Sequence, residues 1–242
     1  MRVDIITLFP EMFSGLNSSI IKRAHEKQLV NIKIHDFRLY STDKNRRVDD
    51  YSYGGGAGMI ISVQPITDCL RAIRGYQTAQ KILMAPAGKV YTQKKAAALS
   101  RENHIIIICG HYEGIDARIE EYVDETISIG DYILTGGEIA ATVIVDSVVR
   151  LIPGVLGNED SASVESFDNM LLEFPQYTRP QTFEGISVPD VLISGDHEKI
   201  RQYRRYKSLE RTYQNRPDLL AKAKLTDEDS DFLNKIKRGE DF

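Results

Sequence analysis

Short apolar runs alternate with longer amphipathic stretches through the first half of the chain. Runs at 2–9, 31–38, 81–86, 104–109 and 125–129 have the length and composition of strands. Between them, 11–28, 63–74, 92–102 and 116–122 carry helical spacing, with Thr92 placed to cap the third. HIIII (104–108) and VDETISI (123–129) read as buried parallel strands. The alternation predicts an α/β domain with a mainly parallel sheet. A strongly apolar helix, EIAATVIVDSVVRLI (138–152), follows and stops at Pro153-Gly154. GNEDSASVESFDN (157–169) has little to bury and reads as a mobile linker or a loop that orders on binding. Beyond Pro189 the pattern is helical: 196–216 with Asp196 as N-cap, a break at Pro217, then short helices to the end. The expected organisation is an α/β domain over 1–156, a flexible linker over 157–173 and a helical domain over 174–242.

Two glycine-centred strings follow the buried runs, CGHYEGID (109–116) and IGDYILTGGE (129–138). Glycine just after a strand lets backbone N–H and C=O groups approach a ligand with no Cβ in the way. Two such turns close in sequence predict one small-molecule pocket at the carboxyl ends of neighbouring strands. Pro86-Ala87-Gly88 reads as a third strand-end turn and a further wall. Tyr112 and Tyr132 are candidate aromatic or hydroxyl contacts, and Ile129, Ile133 and Leu134 candidate apolar surface. The run YGGGAGM (53–59) has neither the Gly-Lys-Ser/Thr ending nor the spacing of a nucleotide phosphate loop, and reads as a functional surface loop.

Composition narrows the partners. The chain has 242 residues, 42% hydrophobic, with a formal net charge of −4, so it is not basic as a whole. Yet between Asp196 and Lys224 nine Lys or Arg stand against four Asp or Glu. Arg201, Arg204, Arg205 and Lys207, with Tyr203 and Tyr206, are candidates to hold phosphate and stack on bases; a solvated helix face is the alternative. Cys69 and Cys109 form no metal or redox motif, and Cys109 at a strand end reads as a buried thiol, in keeping with a reducing cytoplasm. The start, MRVDIITLFP, reads as a first strand rather than a signal peptide, and no run predicts a membrane span.

The notable ionisable residues are Glu113, Asp116, Asp131, Arg150 and the linker carboxylates Asp160, Glu165 and Asp168. Arg150 ends the apolar helix, where a guanidinium needs an anionic partner or the helix dipole. No histidine belongs to a metal-spacing pattern and no GxSxG is present, so no metal site is expected, although a magnesium requirement stays open.

These strings, together with DSVVRLIPGVLGNE and EFPQYTRP, resemble the bacterial tRNA (guanine-N1)-methyltransferases from LFPEMF near the start to SLERTYQNRPDLL near the end. The resemblance implies a SPOUT-class α/β domain with a C-terminal trefoil knot, a small helical tRNA-binding domain and a cytoplasmic homodimer with active sites at the subunit interface. It implies transfer of a methyl group from S-adenosyl-L-methionine to N1 of the guanine 3′ of the tRNA anticodon, guarding the reading frame. The implied cofactor site is Pro86, Gly110, Tyr112, Glu113, Ile129, Gly130, Asp131, Tyr132, Ile133, Leu134, Gly136 and Gly137. Arg150 matches the catalytic arginine, and Glu113 joins it. The general base, an aspartate before Ser-Phe in relatives, is here Glu165 in VESF, with Asp160 and Asp168 as other candidates. Implied tRNA contacts are Gly55, Gly56, Ser166, Arg201, Arg204 and Arg205. Two alternatives are a SPOUT enzyme acting on another base or RNA and a non-catalytic RNA-binding protein.

Overall fold

In the computed structural model, residues 1–156, 167 and 170–242 are described, and the chain divides into two units, Met1–Glu159 and Asp160–Phe242. Five strands of the first unit, each carrying isoleucine, are β1 (Arg2–Thr7), β2 (Asn31–Asp36), β5 (Gln80–Val90), β6 (His104–Cys109) and β7 (Glu125–Ser128). Two short strands, β3 (Asp49–Asp50) and β4 (Ile60–Ile61), pair separately. The five form one sheet in the order β2-β1-β6-β5-β7, parallel at every pairing. Ile5 stands level with Ile34 on one side and Ile107 on the other, so a layer of apolar side chains crosses the sheet. One face packs Val3, Ile5, Ile82 and Ile107 beneath α1 (Ser19–Glu26) and α4 (Glu138–Val149). The other packs Ile6, Leu83, Ile106 and Ile108 beneath α2 (Val63–Ala72). Covering both faces is what permits uninterrupted apolar strands such as β6. Thr92 caps α3 (Gln93–Leu99) by accepting the Lys95 N–H, as its position predicts.

Three local expectations change. The helix expected over 11–28 is split into a 3-10 turn, Pro10–Asn17, and α1. Ser18 between them is extended, and its hydroxyl donates to the Gly15 carbonyl at 2.6 Å, which halts the first turn. The segment after Asp116 is also a 3-10 helix, Ala117–Tyr122. The third strand-end turn is not an end: β5 continues through Pro86-Ala87-Gly88 to Val90, and Met84 and Lys89 both stand opposite Ile127. The intervening residues loop out as a bulge. Gly88 is required there, because a Cβ would lie 2.6 Å from the Ile127 backbone.

In the second unit, a hairpin of β8 (Thr182–Phe183) and β9 (Ile186–Ser187) precedes α5 (His197–Asn215), α6 (Pro217–Leu220) and α7 (Asp227–Arg238). Its core contains Leu171, Tyr206, Leu209, Phe232 and Leu233, so Leu171, within the expected linker, is part of this core. Asp196 caps α5 by accepting the Lys199 N–H. Thr226 and Asp229 form a reciprocal capping box on α7. Asp160, Glu165, Ser166 and Asp168 lie outside the described residues. Among the described residues, no helix is long and apolar enough to cross a membrane.

Candidate functional site

The middle of β5, where it bulges, and the carboxyl ends of β6 and β7 open into a cavity of about 370 Å³ that includes Met84, Gly110 and Ile127 in its wall. The two glycine strings form most of it. Gly137 N–H donates to the Gly110 carbonyl at 2.7 Å, and His111 pairs with Gly136 in an isolated antiparallel bridge. The turn after β6 and the turn before α4 are thus joined backbone to backbone. A Cβ on Gly137 would stand 3.0 Å from both Cys109 Cα and Gly110 N, closer than the two segments can accept without parting.

Pro86, Gly110, Tyr112 and Glu113 all line the cavity, as do Ile129, Gly130, Tyr132, Ile133 and Leu134, with Gly136 and Gly137. Asp131 does not. It is exposed at the tip of a tight turn closed by the Tyr132 N–H on the Gly130 carbonyl (3.0 Å). Tyr112 adopts φ 59, an uncommon conformation for a residue with a Cβ. His111 and Ser128, which the sequence pattern did not single out, also line the cavity, as does Thr135 within the second glycine string. For His111 a signal was present, since it sits inside the CGHYEG string. Cys109 is fully buried, and burial, then the nearby Glu138 charge, pushes its thiol well up, so it is an inert core thiol.

The YGGGAGM loop borders the same wall. Glu113 N–H donates to the Met59 carbonyl (3.3 Å), Ile61 N–H to Gly114 (3.0 Å) and Asp116 N–H to Ile61 (2.9 Å). Gly58 lies so close to Glu113 that a Cβ would meet its Cγ at 2.3 Å. Gly55 and Gly56, both at positive φ, belong to this loop and leave its backbone open. Arg150 is elsewhere: it caps the carboxyl end of α4, while Gly137 caps the other. Thirteen residues of helical rise separate them by roughly 20 Å. Within one chain, Arg150 is therefore not brought to the cavity.

The basic helix also differs from expectation. Tyr203 and Tyr206 are buried on the inner face of α5, and Tyr206 packs edge-on against Phe232 and Phe242, so neither is available to stack on a base. Arg205 forms a two-pronged pair with Asp229 (2.6 and 2.7 Å). Arg201 bridges Glu198 and Glu228 at 2.7 and 2.8 Å. These bonds hold the guanidinium pKa values up and those of Glu198 and Glu228 down. Arg204 instead lies over the Phe174 ring at 5.1 Å, beside a groove that also includes Tyr177 and Arg179.

A parallel α/β sheet with a backbone-lined pocket at its strand ends defines a protein that binds a small nucleotide-like molecule. The family model for tRNA (guanine-1)-methyltransferase, TrmD, matches residues 1–222. A tRNA (guanine-N(1)-)-methyltransferase of Geobacillus kaustophilus is 55% identical over 241 residues, covering 98% of this chain and 99% of that protein. Those of Dictyoglomus turgidum and Halalkalibacterium halodurans are each 52% identical, covering 98% of this chain and 97% and 98% of theirs. The chain belongs to the TrmD family of tRNA (guanine-1)-methyltransferases.

Proposed function

We propose that the protein methylates N1 of the guanine 3′ of the tRNA anticodon, with S-adenosylmethionine as methyl donor. The observation that carries this reading is the cavity that the two glycine turns build together in a chain of this family. Its volume suits a small-molecule ligand, and backbone groups with few charges suit a nucleoside held by hydrogen bonds and apolar contact.

S-adenosylmethionine supplies an already activated methyl group when bound. The chain's own work is then alignment and proton removal. Guanine N1 carries a proton and is a poor nucleophile until a base takes it. Glu165 is the assigned base: its carboxylate accepts the N1 proton as the new N–C bond forms. Arg150 offers guanidinium donors to the guanine O6 as negative charge gathers there. Glu113 is the assigned catalytic residue that already lines the cavity. The target base leaves its stack to enter the pocket, where Glu165 is assigned to meet its N1 proton.

The active unit is a homodimer on this reading. Two features support it. Arg150 stands about 20 Å of helical rise from the cavity of its own chain. Ile139 and Val143 on α4 are 51% and 43% exposed, and Ile133 on the cavity rim is 79% exposed, an apolar surface suited to a second copy. The reading extends to a trefoil knot in the C-terminal part of the first unit, as the family resemblance implies. It also makes 174–242 a tRNA-binding domain, with Arg179 and Arg204 beside the Phe174 groove as the phosphate-facing cations. The compartment is the cytoplasm, where tRNA is modified.

Methyl transfer from labelled S-adenosylmethionine to tRNA transcripts with and without guanine after the anticodon tests the reading. Label only in the guanine-bearing transcript is expected; equal labelling of both would refute the position. Glu165→Gln is expected to lower turnover far more than cofactor affinity. Activity that survives this change and falls in Asp168→Asn would move the base to Asp168.

A further inference from the structure

Behind the wall formed by Gly136 and Gly137 lies a buried polar pair that the mechanism above does not use. Glu138, the first residue of α4, is 1% exposed. Its Oε1 accepts the Thr7 hydroxyl at 2.8 Å, and Thr7 Oγ1 in turn accepts the Phe9 N–H at 3.0 Å. Its Oε2 stands 3.5 Å from His111 Nδ1, and neither atom has a hydrogen-bond partner. Buried polar atoms left unsatisfied cost on the order of 1–3 kcal/mol. Here the two unsatisfied atoms face each other, and an approach of about half an ångström would satisfy both.

The surroundings are built for that pairing. The His111 ring is flanked by Phe9 at 4.5 Å and by Tyr112 at 5.5 Å, so its plane is held. A Cβ on Gly136 would lie 2.3 Å from both Glu138 Oε2 and His111 Nδ1, so glycine alone leaves the contact free. An ionised glutamate only accepts hydrogen bonds, and the proton between them therefore belongs to Nδ1. With the proton there, neutral imidazole keeps its lone pair on Nε2. His111 lines the cavity and its side chain is 22% exposed.

We propose that Glu138 is a positioning residue: it holds His111 in the Nδ1–H tautomer, so that Nε2 offers an acceptor to a donor group of the pocket's ligand. On the cofactor reading above, on which this rests, that donor is an ammonium, amino or hydroxyl group of S-adenosylmethionine. The chain Thr7–Glu138–His111 then ties the end of β1 to both glycine turns.

Nitrogen-15 NMR of the histidines in the full-length wild-type protein reads the tautomer directly. A His111 proton on Nδ1 is expected; a proton found on Nε2, alone or together with Nδ1, overturns the proposal. Glu138→Gln keeps an oxygen for Thr7 but places an N–H donor against Nδ1, which drives the ring to the Nε2–H form. Calorimetric affinity for S-adenosylmethionine and S-adenosylhomocysteine is then expected to fall about tenfold, the loss of roughly one hydrogen bond, with turnover at saturating cofactor changed less. Wild-type affinity in a folded Glu138→Gln protein overturns the proposal. If that variant does not fold, the wild-type tautomer decides. Wild-type protein that binds neither compound overturns the cofactor reading itself, and with it this inference.

Discussion

Asp4, in the middle of β1, is fully buried and carries a charge that three partners hold in place. His35 Nε2 lies 2.6 Å from Oδ1, His104 Nε2 lies 2.7 Å from Oδ2, and Arg2 Nη2 donates to Oδ1 at 3.1 Å. Burial alone would raise this carboxyl; hydrogen bonds from His35, Arg2 and His104 outweigh it and lower its pKa from 3.8 to about 2. A group whose folded pKa is depressed adds stability above its unfolded pKa and loses it as pH falls through the folded value. The drop is equivalent to roughly 2.5 kcal/mol at neutral pH, of which about half remains near pH 3. Asp4→Asn removes this contribution and leaves the half-buried Arg2 guanidinium without its anion. The melting temperature at pH 7 should fall by about 5–10 °C, with the deficit roughly halved near pH 3. Since the chain has no tryptophan, circular dichroism is the global probe, and faster amide exchange in β1 and β6 localises the effect. A variant that melts within about 2 °C of wild type at pH 7, or a deficit unchanged at low pH, would refute the reasoning.

Gly137→Ala should open the junction between the two cavity turns, because its Cβ cannot stand 3.0 Å from Cys109 Cα and Gly110 N. Overpacking of about 1–3 kcal/mol should weaken S-adenosylmethionine binding by roughly fivefold to 150-fold by calorimetry, and unchanged affinity would argue against this wall. Asp229→Ala breaks the pair with Arg205 and the α7 capping box together, and should cost roughly 3 kcal/mol in denaturant unfolding of the second unit. A loss well under about 1 kcal/mol would mean the pair contributes little. Arg204→Gln with Arg179→Gln should weaken tRNA binding and flatten its salt dependence, whereas Arg201→Gln should alter the salt slope less. Equal slopes for all three would mean that the carboxylates around Arg201 do not hold its charge from RNA.

What the sequence made legible was local chemistry. Six residues at 104–109 with no polar alternation are β6 to the residue, and Thr92 and Asp196 cap the helices they precede. The glycine strings marked the cavity because a missing Cβ is a property of the residue itself. Features set by distant partners were not legible. The Thr7–Glu138 hydrogen bond spans 131 positions, and the bulge in β5 appears only in its register with β7.

The basic helix shows how a distant partner can reverse the meaning of a local pattern. Counting charge from 196 to 224 gives a cationic segment, but the window stops just before α7. The first turn of α7 holds Asp227, Glu228 and Asp229, and two of these carboxylates are the ones that meet Arg201 and Arg205. Tyr203 and Tyr206, which sequence spacing placed beside the arginines, face inward because an i,i+3 pair shares one side of a helix. The charge that α5 leaves unpaired with α7 is therefore smaller than the sequence count. Arg204, next to the paired Arg205, and Arg179 line a groove whose lining contains no carboxylate. If tRNA binding proves insensitive to Arg204 and Arg179, the groove they line is not where phosphate is held.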